Sequence, residues 1–563
     1  MTKSEKFTQE YCCTVVRVGE LKPIDGADKI AQTIVNGESI VVRKDQVKEG
    51  DILLYASNET QLNEGFLSAN NLFDVDCYEK NSNASEVTEM ATRRESLKIN
   101  VDATSKMISK VKKSIAKKHA KSLSEFIKRY DKHFSTDSIE SLCEKAEEII
   151  KEENERISKA KSEIDEIKAF MRSKCGFFNK YGRVKLIRLK GIPSFGYLFT
   201  LQELGNWMNE HVMDLNLEEH VGEDFDTVCG ELFVKAYVPP IKDNKTKVDR
   251  SNDDKRSRKA EKRFDRLVEG QFKFHYDTNP LARNMHLLNP NTVVTISDKL
   301  HGTSLIVANV KVKTPIRLPF HKWLWNLICN NRLLEKYMVK NYIEEYGPIY
   351  SSRKVIKNKY INKGSNEGFY GQDIWTEYGE LMYKYLPKGM TIYGEIVGYL
   401  SGSDKMIQKD YDYGCDVGAN KMMIYRITTQ EDDGKLREWN VDEVHKFTLS
   451  LIDEHDELRD RLLPIEILYH GTLGDAYPNV KKEVHWNENV LEEMKNDSVR
   501  LGMELMEPSC MNIVPREGVV LRIDDDVVQE AFKLKCQSFL FKEQELMDNE
   551  EVDIEMQENN EEV

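Results

Sequence analysis

Short apolar runs separated by turn residues fill the first 80 positions. Runs at 12–18, 39–43 and 51–55, with Gly37-Glu38 and Glu49-Gly50 at the turns, predict strands in tight succession. A similar strand-like piece at 182–190 leads into Gly191-Ile192-Pro193-Ser194-Phe195-Gly196. Between these pieces, over 81–174, the pattern becomes helical. In its second half Cys143, Ala146, Ile150, Ile157, Ala160, Ile164 and Ile167 fall on the a and d positions of one heptad register, and only Glu153 breaks the stripe. The first half, 105–132, is rich in lysine (Lys106, Lys110, Lys112, Lys113, Lys117, Lys118 and Lys121), and the second half is rich in Glu. Two expectations follow: an antiparallel helical hairpin whose halves attract each other, or a basic half that lies along nucleic-acid phosphates.

Beyond residue 230 strand and helix signals mix. A hydrophilic stretch at 242–263 (Lys242, Lys245, Lys247, Arg250, Lys255, Arg256, Arg258, Lys259) has no apolar periodicity and is expected to be a flexible loop or a phosphate-contacting arm. Val293, Val294 and Ile296 form a buried-strand signal, and alternation is clear at 391–397 and 519–523. The apolar, aromatic segment 318–346, with Trp323 and Trp325, is expected to be a packed helical excursion. The fold class expected is α+β.

Charge changes this picture only once its distribution is considered. The formal net charge is −14, but ten acidic residues and no Lys or Arg lie in Glu543–Val563, which leaves about −4 for the rest. Such an end predicts a disordered, solvated acidic tail at 543–563. Polyanion binding is therefore not excluded. The ten cysteines include no C-x-x-C pair, which predicts ordinary thiols rather than disulfides or structural zinc. The polar first ten residues and the absence of an apolar stretch of ~20 residues predict an intracellular, cytoplasmic protein without a membrane partner.

The chemistry is concentrated in Ser297-Asp298-Lys299-Leu300-His301-Gly302-Thr303-Ser304, which places Lys299 where a strand meets a turn. Lysine becomes a nucleophile when nearby cations and partial desolvation favour its neutral form. Five segments follow in order: Ile349-Tyr350-Ser351-Ser352-Arg353, Thr391-Ile392-Tyr393-Gly394-Glu395-Ile396-Val397-Gly398, Met422-Met423-Ile424-Tyr425-Arg426-Ile427, Glu517-Gly518-Val519-Val520-Leu521-Arg522, and Phe532-Lys533-Leu534-Lys535. In type and order they resemble the core motifs of the covalent nucleotidyltransferases, the superfamily of ATP-dependent ligases and mRNA capping enzymes. His301 matches the variant common in RNA ligases.

That resemblance implies specific roles. Lys299 would attack the ATP α-phosphate and carry a lysyl-AMP intermediate. Lys533 and Lys535, alternating on one strand face, would offset developing phosphate charge and help lower the pKa of Lys299. Asp298, His301, Gly302, Arg353, Glu395, Tyr425 and Glu517 would form the nucleotide site, with Tyr425 stacking on the purine. Arg353 would contact the sugar or the RNA 5′-phosphate. Glu395 and Glu517 would hold Mg2+ (or Mn2+), for which one or two carboxylates suffice.

The front segments resemble the oligonucleotide-binding barrel of Deinococcus-type RNA ligases, and only 28 residues follow Lys535. That is too short for the second barrel of DNA ligases and capping enzymes. The implied organisation is a split OB-like β-barrel domain (1–80 and 175–230), a helical hairpin insertion (81–174), a nucleotidyltransferase catalytic domain (231–542) and the tail. The implied function is an ATP-dependent RNA ligase sealing a 3′-hydroxyl to a 5′-phosphate, with a nicked duplex as the favoured substrate. The insertion would then contact RNA or a protein partner. Two alternatives stay open: a GTP-dependent, capping-type nucleotidyltransferase, and an inactive RNA-binding scaffold.

Overall fold

The structure is a computed structural model that describes residues 1–136, 138–208, 212–238, 267–329, 339–357, 370–430, 435–524 and 530–548. The basic stretch 242–263 lies outside the described residues. The chain forms two compact units, residues 1–35 with 39–237, and residues 36–38 with 238–563. Both mix helices with mainly antiparallel sheets. Among the described residues no helix is long and apolar enough to cross a membrane.

In the first unit a four-stranded sheet runs in the order Asp224–Phe225, Cys13–Arg17, Ile52–Ala56 and Tyr197–Phe199. Cys13 to Val16 are buried in succession, as expected of a strand covered on both faces. Lys22–Ile24, Ala27–Val35 and Glu38–Arg43 make a second sheet. Leu186–Leu189 and Ile192–Phe195 pair across a turn in which Lys190 and Gly191 both have positive φ. Phe66, Phe199, Phe225 and Phe233 pack in the core.

Three helices, Ala84–Ala116, Ala120–Ile127 and Ile139–Lys174, fill the central stretch. The chain leaves for them and returns at one place, where Phe73 bridges to Phe178. There a side chain at Gly176 would lie 2.2 Å from the Leu72 carbonyl oxygen. The heptad stripe is inward-facing. Ala146, Ile150, Ile164 and Ile167 are buried, while Cys143, Ile157 and Ala160 pack partly against the same clusters. Glu153, which breaks the stripe, is itself buried and is held by Arg156 at 2.7 Å.

The expected attraction between a lysine-rich and a glutamate-rich half takes a different form. Ion pairs between the long helices are Arg93–Glu163 at 2.8 Å and Lys174–Glu86 at 3.0 Å. Among the described residues none involves the seven lysines of 106–121, which are all exposed.

The second unit is built on two sheets. One runs in the order Asn279–Pro280, Ala531–Lys535, Gly518–Ile523, Val293–Lys299 and Ile467–Thr472. The other runs Ile356–Lys357, Tyr342–Ser351, Thr303–Pro315, Met390–Gly398, Asn420–Gln430 and Leu436–Glu438, with Leu462–Pro464 pairing in parallel with Asn420–Gln430. Each has its own apolar core. Leu281, Val294, Ile296, Leu521 and Phe532 pack under the first, and Trp375, Tyr378, Ile392 and Ile424 under the second. The turn after Lys299 carries the chain from the first sheet to the second.

Two expectations are corrected here. The acidic end does not begin as a disordered tail at Glu543, because Gln537–Asp548 is a helix with Phe539 and Met547 buried. Burial of those apolar residues outweighs the local acidity; 549–563 lies outside the described residues. In 318–346, Phe320–Cys329 is helical, but this helix is not packed as expected; 330–338 lies outside the described residues. Asn326 ties it to Val339 at 2.7 and 2.8 Å and Cys329 is buried, yet Phe320 is 74% exposed and Trp323 51%. The helix sits at the end of the long hairpin of Thr303–Pro315 and Tyr342–Ser351, where tertiary cover is thin.

Candidate active site

Lys299 is the last residue of its strand and pairs with Gly518. Its Nζ donates to Glu517 Oε1 at 2.6 Å. Lys535 pairs with Gly518 from the other side, and its Nζ stands 3.8 Å from the same Glu517 oxygen. The two ammonium groups thus approach one buried carboxylate, with Glu517 only 2% exposed. Gly518 makes this approach possible. Its φ is +146°, and a Cβ there would lie 2.1 Å from Leu534 O and 2.7 Å from Lys535 Cα. Lys533, opposite Val520, lies on the same strand face as Lys535 two residues on.

His301 is buried in the turn. Its backbone N–H donates to the Tyr413 hydroxyl at 2.8 Å, and its Nδ1 lies 3.9 Å from Glu517 Oε2. The ring stands edge-on between Tyr411 and Phe539, each 5.1 Å away. Next to it, Gly302 leaves no room for a side chain. A Cβ would meet Ile396 O at 2.4 Å and Glu395 Cγ at 2.8 Å. Glu395, in register with Ser304, is therefore held against the turn that follows Lys299 by strand pairing and by this contact.

Asp298 is expected in the nucleotide site, and the structure places its carboxylate on Arg516. Strand alternation sends its side chain away from Lys299, and it forms an ion pair with Arg516 Nη2 at 2.7 Å, with both groups largely buried. Burial pushes its carboxyl up to about 6 against the pull of Arg516, and Glu507 and Glu466 add to the rise. The ion pair ties the strand to Arg516, a partner that the sequence pattern alone did not mark.

Arg353 Nη2 pairs with Asp277 Oδ1 at 2.8 Å. Burial opposes ionisation of Asp277, but the Arg353 guanidinium outweighs it and holds the carboxyl below its ordinary range. The neighbouring Ser351 and Ser352 hydroxyls are buried and have no hydrogen-bond partner among the described residues. Tyr425 contacts His275 Nδ1 through its hydroxyl at 3.2 Å, and Arg522 lies 5.9 Å from its ring. Burial, with Glu395 nearby, pushes the Tyr425 phenol up to about 12. Arg522 also donates to the Tyr425 carbonyl. It joins Arg426 around the buried Glu438, which accepts from Arg426 Nε at 2.7 Å.

The helix Gln537–Asp548 adds groups that the sequence reading missed. Glu543 lies 3.1 and 3.2 Å from Lys535 Nζ, and Phe539 lies under that ammonium at 5.2 Å. Lys542 sits over Tyr411 at 4.5 Å and pairs with Asp410 at 3.4 Å. The legible signal was the apolar spacing Phe539, Leu540, Leu546, Met547, a helical stripe inside the acidic run.

The residues suit a divalent cation that takes few protein ligands. Among the described residues no group of three or more His, Cys, Asp or Glu could hold a metal alone. Glu517 Oε2, however, is buried without a hydrogen-bond partner among the described residues, which leaves a carboxylate oxygen for a cation that retains much of its water. A depression of about 640 Å³ in the same unit, lined by Tyr477, Glu493, Asp497 and Arg500, contains none of these groups.

No protein-family model and no curated protein matches the chain in sequence. Among solved structures, a Naegleria gruberi RNA ligase variant with ATP and Mn is similar at 13% identity and TM-score 0.44, covering 95% of this chain and 99% of that one. The same ligase with PPi is similar at 13% identity and TM-score 0.44, covering 96% and 100%. A further variant with AMP and Mn gives 14% identity and TM-score 0.43, covering 95% and 99%.

Proposed function

We propose that the protein is an ATP-dependent RNA ligase acting through a lysyl-AMP intermediate. The observation that carries this reading is the approach of Lys299 and Lys535 to the single carboxylate of Glu517. Phosphoryl transfer depends on an aligned nucleophile and on cations around the phosphates. A lone surface lysine has neither.

In the first step the neutral Lys299 amine attacks the α-phosphorus. A P–N bond forms, the P–O bond to pyrophosphate breaks, and the nitrogen's surplus proton is lost. Lys533 and Lys535 offset negative charge on the leaving pyrophosphate. In the second step an RNA 5′-phosphate oxygen takes the AMP group and Lys299 is regenerated. In the third a 3′-hydroxyl loses its proton and attacks the phosphorus of the RNA 5′-phosphate, the phosphodiester forms, the bond to the AMP oxygen breaks and AMP departs. Glu517, with Glu395, would hold Mg2+ or Mn2+, which supplies charge neutralisation at the phosphates when bound. Arg353 is the group for the sugar or the RNA 5′-phosphate, and Tyr425 the ring for the purine.

RNA is preferred as the acceptor because His301 is the variant common in RNA ligases and the front segments resemble those of the Deinococcus type. A nicked duplex is the substrate favoured by the same likeness. The front unit, residues 1–35 and 39–237, is proposed to hold the nucleic acid.

The test is to incubate the protein with a divalent cation and α-labelled ATP, and separately GTP, beside Lys299→Ala. Label from ATP that survives denaturation and disappears in the variant is expected. Label from GTP alone would favour a capping-type enzyme. No label on folded protein would leave the RNA-binding scaffold.

A further inference from the structure

Four lysines of the helix Ala84–Ala116 and its C-cap form a single line. Lys106, Lys110, Lys113 and Lys117 follow the spacing i, i+4, i+7, i+11, which keeps them on one face of an α-helix. At about 1.5 Å per residue the line is roughly 16 Å long, with one ammonium per turn. The opposite face of the same helix carries the buried Ile108 and Val111, which pack against Leu142, Ala146 and Ile149 of the glutamate-rich helix. The lysine line therefore points away from those glutamates.

All four lysines are exposed, and none forms an ion pair among the described residues. The chain has no acidic residue from 103 to 124; the nearest acid along the line is Asp102, one turn before Lys106. A face that served only for solubility would gain from mixed charges and intrahelical pairs. Such pairs occur on the other long helix, where Lys145 meets Glu148 at 2.6 Å and Arg156 meets Glu153 at 2.7 Å.

We infer that this line is a track for the RNA phosphate backbone, a contact that positions the substrate without reading its sequence. The inference rests on the RNA-ligase reading and adds to it a binding surface that the six motifs do not contain. Four point charges in a row on a rigid helix match a polyanion, and each phosphate neutralised releases counterions. The line offers no aromatic or amide group for base edges, so the contact is to the backbone alone.

The experiment compares the full chain with the quadruple variant Lys106→Gln, Lys110→Gln, Lys113→Gln, Lys117→Gln. A control removes four exposed cations elsewhere on the hairpin: Lys151→Gln, Lys159→Gln, Lys161→Gln, Arg172→Gln. Binding of a 5′-phosphorylated nicked RNA duplex is measured across potassium chloride concentrations, with helical circular dichroism as the check on folding. The slope of log affinity against log salt is expected to flatten by about two to three units in the first variant only. A slope equal to the wild type, or to the control, overturns the inference. Wild-type protein that takes no label from ATP and binds no RNA would instead overturn the ligase reading.

Discussion

Lys299 and Lys535 face each other across Gly518, on strands that flank a common neighbour, and both reach toward Glu517. The carboxylate fixes Lys299 directly, at 2.6 Å. Glu517→Gln keeps the shape and removes the charge that holds the lysines together and provides the oxygen for a cation. Labelling from ATP is expected to fall by about 100-fold or more, the order associated with losing one aligned, charged partner. Single-turnover labelling measures it, and a loss below tenfold would argue against the assignment.

Glu543 occupies Lys535 from the C-terminal helix, at 3.1 and 3.2 Å. An incoming pyrophosphate or triphosphate must compete with that carboxylate for the ammonium. Glu543→Gln is therefore expected to tighten pyrophosphate binding several-fold, as measured by titration calorimetry. Weaker binding would mean that Glu543 instead aligns Lys535 for the phosphates.

The buried Asp298 gives stability a pH dependence of known sign. Its folded-state pKa is raised to about 6, above the ordinary 3.8, so the folded chain binds this proton more tightly than the unfolded chain. The stabilising contribution is fully present below about pH 4 and is lost as pH rises through about 6. Relative to Asp298→Asn, the wild type should gain stability as pH falls from 7 to 4. Urea unfolding at several pH values checks this; a flat difference between the two would refute it.

Gly302→Ala should fail for steric reasons, because its Cβ would lie 2.4 Å from a backbone oxygen of the neighbouring strand. Backbone atoms cannot rotate aside, so a cost of about 2–3 kcal/mol or more is expected, together with displaced Glu395. Urea unfolding of the variant reads the first effect and labelling the second.

Much of the site was legible because strand period and turn chemistry are local. Alternation placed Lys533 and Lys535 on one face, and Lys299 stands at a strand end beside a glycine that the packing requires. What was not legible depends on distant chain segments. The partner of Asp298, Arg516, comes from 218 residues away, and no local pattern announces that pair. Glu543 was hidden by composition, since ten acids in 21 residues outweigh a weak apolar stripe in any local reading. The aromatic helix Phe320–Cys329 failed in the opposite sense. Its residues signal burial, but the hairpin end offers them little to pack against.

The bridge between Phe73 and Phe178 has a consequence for how such a chain can change over generations. Everything from Ala84 to Lys174 hangs from two chain ends that are already neighbours, so closing the gap with a short turn carries little entropic cost. The helical arm is thus a module that could be lengthened, recharged or exchanged while the sheets beneath keep their register. On the proposed reading, substrate preference would diversify there without any change in the nucleotidyl chemistry.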